Sequence, residues 1–211
     1  MKVIIYVEGK SDRLGMETLL RPLVEEKRQQ GVDIQFYETP NGDRKIAVLT
    51  KVPIKAINIL RNAPDSVVVA LPDLYPRNKG FPHETVGELV EGVTENFRRA
   101  VRAKGADPRL ADRFRVFCFK YDLEALLLAS EEGLRRQLGV ARLETRWRLP
   151  VEDQNHACPP KEVVKQLFSE RGMRYTATLD APLILGASNY QDLAARCPQC
   201  FGPFVAFLAG L

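Results

Sequence analysis

Apolar residues run almost unbroken from Val3 to Val7 and from Val67 to Leu71, and each run meets an acid within two residues, Glu8 and Asp73. Such short β-branched runs predict strands buried on both faces, Lys2 to Val7 and Ser66 to Leu71. A helix is expected after the first, capped by Ser11 or Asp12. Its apolar stripe is Leu14, Met16, Leu19, Leu20, Leu23 and Val24, kinked or restarted by Pro22. Asp33 to Glu38 forms a second strand candidate, Asn41-Gly42 a turn, and Ala47 to Leu60 a helical region broken at Pro53.

From Glu84 to Lys104, Val86, Leu89, Val90, Val93, Phe97 and Val101 recur at helical spacing between charges, the pattern of an amphipathic helix. Arg113 to Phe119 reads as another strand. The segment Lys120-Tyr121-Asp122-Leu123-Glu124-Ala125-Leu126-Leu127-Leu128 follows at once and turns into a helix former run. Strands alternating with helices predict an α/β fold with an open, mostly parallel sheet flanked by helices, over residues 1–147. Residues 148–211 form a C-terminal helical extension: a polar, proline-containing connection, a helix over Lys161 to Arg171, and two further short helices.

The acids now acquire a position. Ligands of open parallel sheets bind outside the carboxyl ends of the strands, and Glu8, Asp73 and the Asp122/Glu124 pair each fall at such an end. Carboxylates brought close repel one another, and a hard divalent cation relieves this through oxygen coordination, which makes Mg2+ or Mn2+ the expected occupant. Glu124 is the sharpest candidate because apolar residues surround it. Asp122 reads equally as a ligand and as the cap of its helix. Lys10 lies beside Glu8 at a helix start, where a phosphate is well received.

Composition narrows the classes. The 211 residues, 45% hydrophobic, suffice for a full core, and 31 Lys+Arg against 27 Asp+Glu leave a net charge of +4, which permits a nucleic-acid partner without requiring one. The apolar stretch before Glu8 is too short for a signal-peptide core or a membrane span, so a cytoplasmic location is expected, with no membrane partner. The oligomeric state has no signature in the chain.

At VEGKSD (7–12), LPDLYP (71–76), FKYDLEALLLAS (119–130) and the tail from Tyr175 through RCPQCFGPF, the chain resembles the Toprim superfamily, shared by topoisomerases, primases and several nucleases. It is most similar to a bacterial family of Toprim-like proteins often encoded beside an ABC-type ATPase, and more distantly to the overcoming-lysogenization-defect nucleases. The resemblance implies a Toprim/Rossmann-like core and a metal-dependent nuclease, with an ATPase as a possible partner in genome defence or repair. Glu8 matches the family's acid after the first strand, as general acid, base or ligand, and Asp73 the first acid of its Asp-x-Asp motif. Tyr75 replaces the second acid. This points away from topoisomerase and primase chemistry, toward a nuclease completed by Asp122 and Glu124 or toward a degenerate module that binds nucleic acid or the ATPase without cutting.

Other clusters lead elsewhere. Cys197-Pro-Gln-Cys200 with His156-Ala-Cys158 has the outline of a zinc set, yet the pairs lie far apart, and reduced core cysteines are the expected reading over zinc. A nucleobase deaminase needs Glu two places after the histidine, and Cys158 stands there. Arg98, Arg99, Arg102, Lys104, Arg109, Arg113 and Arg115 are expected to solvate a face and favour a helix end, with phosphate contact as the alternative. Trp147 and Tyr175 are core or rim aromatics, or base-stacking platforms. His83 is expected to be exposed.

Overall fold

The computed structural model describes residues 1–39, 42–153 and 158–211. In chain order the elements are β1 (Lys2–Val7), α1 (Lys10–Leu19), α2 (Arg21–Gln29), β2 (Asp33–Glu38) and α3 (Arg44–Ile46), which runs through a π turn (Ala47–Lys51) into α4 (Val52–Asn62). Then follow β3 (Ser66–Leu71), α5 (Val86–Ala103), a 3₁₀ turn (Pro108–Arg113), β4 (Phe114–Val116), α6 (Glu124–Ala129), α7 (Glu131–Leu138) and a second 3₁₀ turn (Val151–Asp153). Four helices close the chain: α8 (Pro160–Ser169), α9 (Ala177–Gly186), α10 (Tyr190–Arg196) and α11 (Phe201–Ala209). Among the described residues, no helix is long and apolar enough to cross a membrane.

The chain divides into two compact units, Met1–Gly9 with Leu23–Cys118 and Leu211, and Lys10–Pro22 with Phe119–Gly210. The first holds one fully parallel sheet in the order β2-β1-β3-β4. Central β1 pairs in register with both neighbours, Val7 standing opposite Glu38 and Leu71. Its side chains Val3, Ile5 and Val7 are wholly enclosed, as a continuous apolar run requires when both faces are covered. Helix α4 packs on β3 and α5 on β4, and the two helices pack on each other. A capping box starts α5, with Thr85 and Glu88 bonding each other's backbone, and its inward stripe is Leu89, Val93, Phe97 and Val101.

The second unit is helical. Helices α1 and α7 pack on α9, α6 touches α7, α8 and α9, and α10 lies on α11. The absent side chain of Gly15 in α1 is part of that packing: a Cβ there would stand 3.1 Å from Leu185 Cδ1 and 3.2 Å from Leu123 Cδ2. Leu123 thereby seats against α1, between the two acids on either side of it.

The expected α/β architecture, parallel sheet and helical C-terminal part are all present. Several details differ. Helix α1 begins at Lys10, so Ser11 and Asp12 lie inside its first turn instead of capping it. The last strand is only Phe114–Val116, an edge strand with one neighbour, followed by a single further bond from Phe117 N–H to Ala70 O at 3.0 Å. Three helices follow α8 where two were expected, because Asn189 caps α10 by accepting from Gln191 and Asp192 N–H. Asn41 of the expected turn lies outside the described residues.

Candidate functional site

In the first unit, the parallel register brings the ends of β1 and β3 side by side, and Glu8 and Asp73 follow those ends. The Asp73 N–H donates to Glu8 Oε1 at 3.0 Å. Thr39, just past β2, donates its hydroxyl to the Glu8 carbonyl at 2.8 Å, so three strand ends are tied together. Lys45 on α3 completes the edge. Its Nζ donates to the carbonyl oxygens of Asp73 and Leu74, each at 2.8 Å, and the residue is only 3% exposed. Burial pulls the Lys45 ammonium down to about 8, against the attraction of Glu8 and Asp73, which pulls it up.

The loop from Pro72 to Thr85 folds back on itself. Asn78, at a positive φ of 61°, accepts the His83 N–H at 2.8 Å and donates to Glu84 at 2.6 Å. His83, expected at the surface, is buried: its Nδ1 bonds the Phe81 carbonyl at 2.8 Å, and Nε2 is buried with no hydrogen-bond partner among the described residues. Burial lowers its pKa, against the Phe81 bond, and Lys45 lowers it further, which favours the neutral imidazole.

In the second unit, the turn into α6 carries the other acids. Tyr121 sits at φ 85°, in the left-handed region that a bulky residue enters only when its surroundings enforce it. Asp122 follows, one residue before Leu123 at the N-cap of α6, and its carboxyl meets the backbone N–H groups of Lys161 and Glu124. Its Oδ1 is buried with no hydrogen-bond partner among the described residues. Burial, then the charge of Glu124, push the Asp122 carboxyl up to about 8, against the two backbone donors and Lys161.

Glu124 itself is buried. Its Oε1 accepts the Tyr175 hydroxyl at 3.2 Å and lies 3.4 Å from Lys161 Nζ. Burial and Glu124 hold the Tyr175 phenol far above its usual range, so it acts only as a donor.

The structure thus brings Glu8 to Asp73, and Asp122 to Glu124. Lys10 is exposed at the start of α1. Among the described residues, no group of three or more His, Cys, Asp and Glu is arranged as a ready metal cluster. The donor sets nonetheless suit a hard cation: all are carboxylates, and Asp122 has a dry oxygen without a donor among the described residues, near a second buried acid. Lys45, Tyr175 and Lys161 escaped the reading of the sequence as supports of these acids. Only the apolar neighbours of Lys45, Ile46 to Leu49, hinted that it sits low on its helix.

The remaining clusters resolve into structure. Cys118, Cys197 and Cys200 are buried, Cys158 is exposed, and none of the four is in a disulfide; His156 lies outside the described residues. The Cys197–Cys200 turn wraps a buried carboxylate, Glu152, which accepts from the N–H groups of Gln199, Cys200 and Phe201 at 2.6, 2.9 and 3.2 Å. Burial, then Glu152, push the Cys197 thiol up to about 12. The basic end of α5 is paired, Arg98 with Glu91 and both Arg99 and Arg102 with Glu95, and Arg113 donates to the carbonyls of Leu60, Ala63, Pro64 and Ser66.

Comparison with known proteins gives the following. No curated protein matches the chain. Among solved structures, the C-terminal region of the Burkholderia pseudomallei OLD protein is similar at 17% identity and a TM-score of 0.47, over 98% of this chain and 96% of that one. The C-terminal region of the Xanthomonas campestris pv. campestris OLD protein, phased with iodine, is similar at 16% identity and a TM-score of 0.43, over 98% and 95%. A family model described as "Domain of unknown function (DUF4276)" matches residues 7–209, from the last residue of β1 to the end of α11. With nearly every element inside that match, the chain belongs to the DUF4276 family.

Proposed function

We propose that this protein is a divalent-metal-dependent nuclease that hydrolyses a phosphodiester bond in DNA or RNA, using Mg2+ or Mn2+. The observation that carries this reading is Asp122: a buried carboxyl with an oxygen that has no donor among the described residues, within the electrostatic reach of a second buried carboxylate, Glu124. Two such groups are costly to ionise together until a cation shares them. The motifs around Glu8, Asp73 and Glu124, with their resemblance to Toprim nucleases, support the same reading.

Glu8 and Asp73 supply oxygen ligands at the sheet edge, and Asp122 and Glu124 supply them in the helical unit. A bound Mg2+ or Mn2+ would polarise the phosphodiester and make a coordinated water acidic. The chain's own groups do the rest. Lys45 clamps the backbone at Asp73 and Leu74, so the Asp73 carboxylate keeps its direction. Tyr175 holds one oxygen of Glu124. Burial and the charge of Glu124 favour the protonated form of Asp122, Glu8 serves as general acid or base, and Lys10 receives the phosphate. On this reading an ABC-type ATPase is a partner, which rests on the motif resemblance alone.

The test is incubation of the purified chain with supercoiled plasmid and with single-stranded DNA and RNA, each with Mg2+ or Mn2+ and each with chelator. Metal-dependent cleavage that disappears in Glu8→Ala and in Glu124→Ala is expected. No cleavage of any substrate, or cleavage that persists in both variants, sinks the assignment.

A further inference from the structure

The helical unit contains an open cavity of about 510 Å³ between α7 and the segment 141–149, a volume within the range of small-ligand sites, roughly 300–1,000 Å³. Its lining is unusual for an ordinary surface groove. Three arginines, Arg135, Arg142 and Arg146, share it with Trp147, the sole tryptophan of the chain, while Glu131 is the one acid on its wall.

The cavity is held open by its own bonds. Helix α7 ends at Gly139 in the left-handed conformation, φ 65°, which reverses the chain, and Val140 N–H then returns to the Arg135 carbonyl at 3.0 Å. Arg135 donates to the Ala141 carbonyl at 3.1 Å, and Thr145 is fastened to Glu170, the residue that ends α8, at 2.9 Å. Arg135 is also engaged with Glu132. Arg142 and Arg146 differ: both are exposed, and neither has an ion-pair or hydrogen-bond partner among the described residues. Two guanidinium groups without a carboxylate, beside a half-buried indole, are matched to a ligand that carries both anionic oxygens and a flat aromatic face.

A nucleotide has both. An inorganic anion leaves the indole unused, and the Asp and Glu of an acidic peptide offer carboxylates whose own side chains have no ring to stack. A base pair inside a duplex hides its faces in the stack, whereas an unpaired base can lie on an aromatic side chain while adjacent phosphates reach the arginines. Glu131 can accept from a ring N–H or an amino group of such a base.

We propose that this cavity binds an unpaired segment of a nucleic-acid strand, with a base stacked on Trp147 and neighbouring phosphates on Arg142 and Arg146. The choice of a strand over a free nucleotide rests on the nuclease reading above; the site itself does not depend on Glu8, Asp73, Asp122 or Glu124.

Because Trp147 is the only tryptophan, its fluorescence reports on this cavity alone. The full chain, in chelator so that no cleavage occurs, is titrated with a short oligothymidylate, a hairpin duplex of equal length, and thymidine 5′-monophosphate. Oligothymidylate is expected to quench the emission, with the logarithm of affinity falling against that of salt at a slope of about −1 to −2, the value for two single-strand phosphates. Duplex and mononucleotide are expected to bind about tenfold more weakly or worse, and the Arg142→Ala/Arg146→Ala double variant to lose about tenfold or more while keeping its far-UV circular dichroism. No quenching, quenching unaffected by the double variant, or equal binding of duplex or mononucleotide overturns the proposal. Cleavage without quenching would remove this site and leave the nuclease reading intact; quenching without cleavage would do the reverse.

Discussion

Lys45 donates through Nζ to the Asp73 carbonyl at 2.8 Å, while the Asp73 N–H donates to Glu8, so the acid after β3 is gripped on both sides of its own backbone. The clamp is buried, and removing its donor takes one hydrogen bond from each of the Asp73 and Leu74 carbonyls. Lys45→Met keeps the apolar stem and deletes the donor. The expected loss is about 2 kcal/mol of unfolding free energy, after relief of the buried charge is set against two lost buried hydrogen bonds. Urea unfolding measures it; a variant within error of the parent would show that Lys45 contributes no net stability at that edge.

The pH dependence of stability follows from Asp122. Its carboxyl is raised from the usual 3.8 to about 8 in the folded chain. Between those values the folded state holds a proton that the unfolded chain has released, so the Asp122 contribution is complete below about pH 4 and is lost as pH rises toward 8. The thermal midpoint of the metal-free protein is expected to fall across this window, and Asp122→Asn to flatten the decline. Scanning calorimetry of both proteins checks this. An unchanged slope in the variant would place the cause elsewhere.

Glu152 organises the turn of Cys197 to Cys200. Three backbone donors at the start of α11 converge on its carboxylate, and two of those bonds are fully buried. Glu152→Ala is expected to cost about 3 kcal/mol, because the donors are left dry and the helix end loses a compensating negative charge. Glu152→Gln, which retains one acceptor oxygen, is expected to cost less. Chemical denaturation of the two variants compares them directly, and equal losses would contradict a role for the charge.

What was legible in the sequence were the elements whose cause is local. The buried runs at Val3 to Val7 and Val67 to Leu71 announce strands because their side chains cannot face water on either side, and β1, β2 and β3 have the expected bounds. The helix over 86–103 declared itself through its stripe. The supports of the acids were not legible, because each depends on residues far along the chain. Lys45 lies 28 positions from Asp73, and Tyr175 lies 51 from Glu124. A lysine among apolar residues looks the same whether its stem merely lies on the surface or its ammonium meets two carbonyls. His83 misled for the same reason: a proline-flanked loop reads as exposed until Asn78 and Phe81 fold it inward.

Divalent-cation binding by the carboxylates is the point on which the functional reading turns. Titrating the metal-free chain with Mn2+ near neutral pH, followed by electron paramagnetic resonance of the free ion, measures it without any assumption about substrate. Saturable binding is expected, competed by Mg2+ and weakened by about tenfold or more in Glu8→Ala and in Glu124→Ala. Absence of saturable binding, or binding that both variants leave unchanged, would contradict a metal centre built on these acids.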